Sequence, residues 1–147
     1  MNSPKEARHP RPPIAPAPDR DSAPYWQALA EDRFALQRCS ECTALRWPPR
    51  AICNRCHSFE NQWEEIPRNG KIVSWIRTEQ VFSESLREVV PYFVVQVALD
   101  AQSDILMMGG WLAGRTPRAA EAVQMVLVQP DPEATTQLPF WKPAESD

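Results

Sequence analysis

Four cysteines in two closely spaced pairs are the residues whose type and spacing most clearly predict chemistry in this chain. The pairs lie in CSEC and CNRC, ten residues apart, and the 147 residues contain no other cysteine. Two residues between cysteines allow one tight turn to direct both sulfurs to a single ion. We therefore predict one structural metal ion held by a closed tetrahedral thiolate set, formed by Cys39, Cys42, Cys53 and Cys56.

Zinc is the ion that this ligand set favours, because soft thiolates select zinc or iron over magnesium or calcium. A rubredoxin-like iron centre has the same geometry and stays open as the alternative. With four protein ligands no position is left for a reactive water, so the site is predicted to be structural. His57 directly follows the second pair, and we interpret it as a surface residue because four sulfurs complete the set.

The rest of the sequence offers no catalytic constellation. One histidine, His9, lies near the N-terminus and the other, His57, beside the cysteines. With four glycines there is no Rossmann or P-loop phosphate fingerprint, and no serine lies in a nucleophile elbow. We predict no catalytic residue and interpret the chain as a binding or accessory module.

Composition and charge further narrow the classes of protein to which this chain can belong. A hydrophobic fraction of 43% is ordinary for a globular protein, and a net charge of −3 argues against broad capture of nucleic acid. The sequence contains no apolar run of the 18 to 20 or so residues that a membrane helix needs, and no signal-peptide stretch at its start. We predict a cytoplasmic protein without membrane association.

Two segments precede the cysteines. Seven of the sixteen prolines fall within the first 24 residues, so residues 1–22 are predicted to form a disordered tail. The following stretch, PYWQALAEDRFALQR, predicts a docking helix over residues 23–36. Its apolar face is formed by Trp26, Leu29, Ala30 and Phe34. A helix this short must dock on the rest of the chain or on a second protein.

The cysteines lie in residues 37–67, which are expected to form a zinc ribbon with little regular structure. Residues 68–143 read as a small barrel, because short runs rich in β-branched and aromatic residues alternate with breakers. A sandwich is the alternative. The runs are residues 71–78, 92–99, 105–112 and 122–129. A last apolar piece, residues 138–141, either adds a fifth strand or packs as a coil. Gly109 and Gly110 interrupt the third run and predict a bulge or tight bend, with a ligand approaching the backbone as the second interpretation.

The order of these motifs resembles the zinc-ribbon plus OB-fold family catalogued as domain of unknown function thirty-five. The resemblance covers residues 25–143 and is carried by RWPPR beside the first cysteine pair, NGKIVSWIRT, VPYFVVQVALD and LPFWKP. It implies a mainly β fold with an N-terminal helix, a rubredoxin-like zinc ribbon and a five-stranded OB-fold barrel. Where such ribbons often have glycine after each cysteine pair, this chain has Thr43 and His57.

The resemblance also implies a function. Family members are commonly accessory subunits, without catalytic residues of their own, of thiolase-fold enzymes such as thiolases, acyltransferases and aldolases that act on acyl-CoA thioesters of lipid metabolism. We therefore expect a hetero-oligomer in which residues 79–91 lie near the partner's active site. Aromatic residues are enriched at interfaces, and the predicted partner-binding residues are Trp26, Phe34, Trp47, Phe82 and Tyr92.

Two other functions remain open. A stand-alone acyl-CoA-binding protein would need cations for the CoA phosphates. The candidates are Arg46, Arg50, Arg55, Arg68, Arg77, Arg87, Arg115 and Arg118. A single-stranded nucleic-acid-binding OB-fold protein would need an aromatic platform in a basic groove, which the acidic balance disfavours.

Overall fold

The structure is a computed structural model that describes residues 15–130 and 132–145. Most of the predicted tail, residues 1–14, lies outside the described residues. Residues 19–22 form a hydrogen-bonded turn, in which the Ser22 N–H donates to Asp19 Oδ1 at 2.7 Å and the Asp19 N–H to Ser22 Oγ at 3.1 Å. This turn leads directly into the first helix, so at residues 19–22 the structure differs from the predicted disordered tail.

Helix α1 spans Ala23–Ala30 with a proline in its first turn, as the sequence predicts. It ends well before residue 36, because Asp32 adopts a left-handed φ of 56° that turns the chain out of the helix. Its buried residues are Tyr25, Ala28 and Leu29, so the predicted apolar face is wrong for Ala30, which is exposed. The helix docks on this chain itself. Within the described residues, no helix has the length and apolar character required to cross a membrane.

The cysteine region contains more regular structure than the sequence predicts. Strand β1 (Ala35–Cys39) pairs antiparallel with both β2 (Leu45–Arg46) and β3 (Asn61–Glu65), in the order β2-β1-β3. The turn at the first cysteine pair folds β2 back against β1, which explains why such short strands form here. The prediction of little regular structure is therefore wrong for the stretches before, between and after the two cysteine pairs.

A closed five-stranded barrel follows the ribbon and confirms the predicted fold class. Neighbouring strands run in the order β4-β5-β6-β8-β7, and β7 pairs with β4 to close the barrel. All pairs are antiparallel except β6 with β8. The strands are β4 (Asn69–Thr78), β5 (Tyr92–Leu99), β6 (Gln102–Trp111), β7 (Ala122–Val128) and β8 (Leu138–Pro143), with a 3-10 helix at Glu84–Leu86.

One hydrophobic core joins the helix, the ribbon and the barrel. Inward side chains alternate along the strands, as in β5, where Val95, Val97 and Leu99 are buried. The same cluster includes Tyr25 and Leu29 from α1. The ribbon and the segment leaving it contribute Phe34, Leu36, Leu45 and Ile66. Because the core is shared, the ribbon rests directly on the barrel.

The glycine pair in β6 has a different role from the one predicted. Gly109 and Gly110 keep regular register opposite Val95 and Val94, so the prediction of a bulge or bend is wrong. Irregularities of register lie elsewhere, between Ile72 and Ser74 and after Ala98. The glycines instead make room for β8. A Cβ on Gly110 would lie 2.1 Å from the Phe140 ring, and one on Gly109 would lie 2.6 Å from the Pro139 carbonyl oxygen.

Candidate metal centre

The two cysteine pairs form turns with the same hydrogen-bond pattern. In the first, the Cys39 N–H donates to Ala44 O at 2.8 Å and the Thr43 N–H donates to Cys39 O at 3.0 Å. In the second, the Cys53 N–H donates to Ser58 O at 2.9 Å and the His57 N–H donates to Cys53 O at 3.0 Å. Thr43 and His57 both have a φ of 63°, the left-handed conformation in which glycine is usual. Neither position has the usual glycine, but both keep the left-handed backbone conformation that glycine adopts there.

The turns bring all four sulfurs together, with every pair of Sγ atoms within 4.8 Å. The Sγ atoms of Cys39 and Cys56 are 3.5 Å apart, and those of Cys42 and Cys53 are 3.6 Å apart. A tetrahedron with metal–sulfur bonds near 2.3 Å has edges of about 3.8 Å, whereas a disulfide bond is about 2.05 Å long. The four thiols therefore fit a tetrahedral ion and form a metal-binding arrangement.

Main-chain N–H groups prepare two of the thiols to bind a cation as thiolates. The pKa of Cys39 is lowered to about 5, mainly by the Cys42 N–H, with burial opposing and the Arg46 side chain and Glu41 N–H contributing further. The pKa of Cys53 is lowered by the N–H groups of Cys56 and Arg55, and the Arg55 nitrogen lies 3.5 Å from Cys53 Sγ. These donors face the cage where negative charge collects, as expected around a metal–thiolate centre.

The fourth thiol shows why the cage suits a cation. The Ser58 N–H lowers the pKa of Cys56, but desolvation and its hydrogen bonds to the three other thiols outweigh that effect and raise it to about 12. Four thiols this close resist simultaneous ionisation because their negative charges would repel each other. A divalent ion at the centre removes that repulsion and makes the fully deprotonated set favourable.

Arg46 lies at the centre of the ribbon and is completely buried, with 0% exposure. Its Nη1 donates to Arg50 O at 3.3 Å and Ala51 O at 3.1 Å, and its Nη2 donates to Ser58 O at 3.0 Å and Glu60 O at 2.9 Å. The guanidinium thus joins the chain segments on either side of the second cysteine pair. The sequence interpretation of Arg46 as a phosphate-binding candidate is wrong, because ligand cannot reach it.

Side chains of the barrel fix the position of the ribbon. Gln102 in β6 accepts from the Leu45 N–H at 2.8 Å and donates to Leu45 O at 3.2 Å, as a neighbouring strand would. Arg55, inside the second cysteine pair, donates to Asp104 at 2.5 Å. Sequence analysis missed Gln102, since a glutamine at a strand start carries no signal for a contact with a residue 57 positions away.

The arginines considered for acyl-CoA phosphates are mostly engaged within the chain. Arg50 donates to the carbonyls of Trp47 and Pro48. Five others pair with carboxylates: Arg55 with Asp104, Arg68 with Asp32, Arg77 with Glu79, Arg87 with Glu84, and Arg115 with Glu121. A phosphate would have to displace these partners, which weakens the case for acyl-CoA binding by the chain alone.

The predicted partner-binding residues fall into three environments. Trp26 and Trp47 are partly buried and both contact the Tyr25 ring edge-to-face, with centroids 5.1 Å apart. Phe34 is only 2% exposed and belongs to the core, so it offers no docking surface. Phe82 is 71% exposed in the loop after β4, and Tyr92, where that loop ends, is partly exposed. The five residues therefore do not form one exposed surface, because Phe34 is buried.

Comparison with known proteins identifies one matching family and solved structures with a similar fold. The family described as "ChsH2, rubredoxin-like zinc ribbon domain" matches residues 26–62. The chain is similar to a chain of the structure described as Ltp2-ChsH2(DUF35) aldolase, at 27% identity and a TM-score of 0.76, over 88% of this chain and 98% of that one. It also shares its fold with a DUF35 protein of unknown function from Sulfolobus solfataricus, at 11% identity and a TM-score of 0.57, over 85% of this chain and 86% of that one.

A curated relative extends the comparison to a longer protein. The chain is 32% identical over 132 residues to a protein of Thermomonospora curvata named "Probable enoyl-CoA hydratase alpha subunit". The match covers 88% of this chain but only 39% of that relative. The chain therefore spans about two fifths of the length of the curated relative that it matches.

Proposed function

We propose, from the premise that this chain belongs to the DUF35 family of zinc-ribbon plus OB-fold proteins, that it is an accessory subunit of an acyl-CoA enzyme. In this proposal it has no catalytic residue of its own, and it docks on and supports a thiolase-fold enzyme. The observation that carries the proposal is the match, along nearly its full length, with a chain of the Ltp2-ChsH2(DUF35) aldolase. That description joins two protein names in one enzyme, and the matching zinc-ribbon family bears the second of them.

The substrate class follows from the names of the relatives. The curated relative is named as a subunit of an enoyl-CoA hydratase, which supports a thioester of coenzyme A as the substrate of the complex. The thiolase fold of the partner rests on the sequence resemblance described above. Under this proposal the partner supplies the nucleophile, because the cysteines of this chain are committed to the metal cage.

The metal is proposed to be zinc, with residues 37–67 as the ribbon and residues 68–143 as the barrel. Four converging thiols suit zinc, which supplies a charge that holds the cage closed and performs no redox step. The ribbon's own hydrophobic contribution is small, so the ion would make the two cysteine turns a rigid unit on the barrel. The partner would then meet a preformed surface.

An exposed apolar face on the barrel supports docking on another protein. Met108 and Leu106 in β6 and Ile76 and Val73 in β4 all expose large fractions of their side chains on the outside of the barrel. Exposed apolar clusters of this kind mark interaction sites on otherwise polar surfaces. Together with Phe82, they form the docking surface that we propose.

The proposal is tested by co-expressing the chain with thiolase-like enzymes of the same organism and purifying through a tag on each enzyme. The unaltered chain should co-purify and raise the yield or activity of the enzyme. Phe82→Ser and Met108→Ser should reduce recovery of the chain, because each removes apolar contact area. Phe59→Ser is the matched control, since Phe59 is 66% exposed but lies on the ribbon outside the proposed surface. A chain that stays in the flow-through and leaves activity unchanged would contradict the proposal.

A further inference from the structure

Arg46 is a buried cation whose hydrogen bonds within the described residues leave its charge without a counter-ion. Its four acceptors are main-chain carbonyls, and none of the ion pairs formed by residues 15–130 and 132–145 includes it. Carbonyl dipoles solvate a guanidinium only in part, and a fully buried charge is costly unless an anion lies nearby. An anion is therefore expected inside the ribbon.

One donor of the same group is also unsatisfied. Arg46 Nε is buried and makes no hydrogen bond, although buried N–H groups in folded proteins nearly always have an acceptor. Arg46 lies opposite Gln37 in the β1–β2 pair, and β1 ends two residues later at the first ligand, Cys39. Side chains alternate between the two faces of a strand, so Cys39 and Gln37 lie on the same face of the sheet as Arg46. The unsatisfied donor and this placement direct the missing acceptor towards the sulfur cage.

When the four thiolates hold a divalent ion, the cage has the opposite charge imbalance. Four thiolates around one divalent ion leave a net charge of about −2 in a partly buried site, and such centres depend on surrounding donors for stability. The cage and the guanidinium thus carry opposite unbalanced charges within one ribbon. Each is costly to bury alone, and each compensates the other when they are buried together.

We propose that Arg46 is the built-in counter-cation of the metal–thiolate centre and completes its hydrogen bonding by donating Nε–H to a ligand sulfur, with Cys39 as the acceptor. This inference rests on the proposed metal centre and goes beyond it. It gives Arg46 a positioning and charge-balancing role toward the ion, in addition to joining the segments around the second cysteine pair. A residue that only joined those segments would not affect the electronic properties of the centre.

The first test compares the full chain with its Arg46→Gln and Arg46→Lys variants. Chelator competition should show zinc held about 10- to 100-fold more weakly by Arg46→Gln, in line with the loss of other groups that support metal ligands. In the iron-loaded chain, reduction adds one negative charge to the centre, so loss of the cation should lower the reduction potential. Arg46→Lys should keep the potential closer to that of the unaltered chain, because it keeps the charge.

Gln37→Ala is the control for a purely structural effect. Gln37 is buried in the same sheet and accepts the Arg50 N–H at 2.8 Å, but it carries no charge. It should lower the melting temperature without changing the reduction potential. Equal zinc affinity and equal potential in the unaltered chain and Arg46→Gln would overturn the inference while leaving the metal centre intact. An unaltered chain that binds no metal would overturn both.

A second measurement needs no variant and covers the case in which Arg46→Gln fails to fold. The unaltered chain is loaded with cadmium-113, and NMR is used to detect coupling between the metal nucleus and the Arg46 Nε proton across the sulfur. The inference predicts that this coupling is present. Its absence, with the Arg46 Nε proton assigned and observable, would overturn the proposed hydrogen bond.

Discussion

At the scale of single residues, the metal cage needs the sulfur atoms of four cysteines and does not use the neighbouring His57 imidazole as a ligand. The thiols converge within 4.8 Å, whereas His57 is exposed and has a left-handed backbone. Cys42→Ser should therefore reduce metal content from about one equivalent to near zero and lower the melting temperature, because zinc thiolate bonds contribute directly to folding. His57→Asn should keep the metal, since asparagine tolerates positive φ. Metal analysis of both purified variants gives the answer, and metal retained in Cys42→Ser would contradict the four-sulfur set.

The glycines of β6 give a second prediction at this scale. A methyl group at Gly109 would meet the Pro139 main-chain oxygen at 2.6 Å, a contact that no side-chain rotation can relieve. Gly109→Ala should therefore cost about 1–3 kcal/mol of unfolding free energy, the usual range for overpacking. Gly114→Ala is the control, because nothing lies within 4 Å of the added group. Urea unfolding curves compare them, and equal midpoints would refute the close approach of β8.

Residue types predict some of these roles and conceal others. The cysteines can be identified because their spacing alone directs two sulfurs to one ion. Arg46 could not be recognised, because charged residues are almost always exposed and its acceptors come from carbonyls 4 to 14 positions away. The glycine pair was misread for a similar reason. The ring that requires the space, Phe140, is far away in sequence, and only the parallel pairing of β6 with β8 brings it near.

At the scale of elements, the barrel strands agree with their predicted positions and the ribbon strands do not. Runs of β-branched residues predicted β5 as it is observed and the other barrel strands to within a few residues. The short strands β1 to β3 lack that pattern of β-branched residues. The cysteine turns and the hydrogen bonds of Arg46 hold them in place instead. Apolar spacing also predicts too long a helix, because the buried Phe34 follows a left-handed turn at Asp32 and lies directly before β1.

Gln102 couples the ribbon to the barrel, and its removal should loosen that junction. Gln102→Ala leaves the Leu45 N–H and carbonyl without their partners and should destabilise the protein by about 1–3 kcal/mol. Hydrogen exchange at the Leu45 amide should speed up by more than exchange in β5. Gln96→Ala serves as the control, since it loses only an exposed bond to Ser74 and should change stability by about 0.5 kcal/mol or less. An unchanged Leu45 exchange rate in Gln102→Ala would contradict the coupling.

The segment between β6 and β7 predicts a pH dependence. Arg115 packs on the Trp111 ring and pairs with Glu121, and its hydrogen bond lowers the pKa of that carboxyl below the usual value. A lowered pKa in the folded state stabilises the protein above the ordinary carboxyl pKa of about 4.3, and this is lost as pH falls further. Glu121→Gln should cost about 1 kcal/mol or less at pH 7 and almost nothing near pH 3. Urea unfolding at both pH values tests this, and a penalty independent of pH would contradict it.

At the scale of the whole molecule, the ribbon and the barrel act as one unit because they share a core and are joined by side-chain contacts. Phe34, Leu45 and Ile66 lie in the same cluster as the barrel interior, and Arg55 pairs with Asp104 across the junction. The metal cage is therefore held in a fixed position relative to the exposed apolar face of β4 and β6. A rigid module with an apolar face and a closed metal site suits a subunit that supports another protein.

Native mass spectrometry of the chain co-expressed with the proposed thiolase-like enzyme is the sharpest test, because one spectrum reports both assembly and metal content. We expect a single hetero-complex that carries one zinc ion for each copy of this chain, and loss of both zinc and assembly in Cys42→Ser. Two separate proteins at their individual masses, with this chain folded and free of metal, would contradict it.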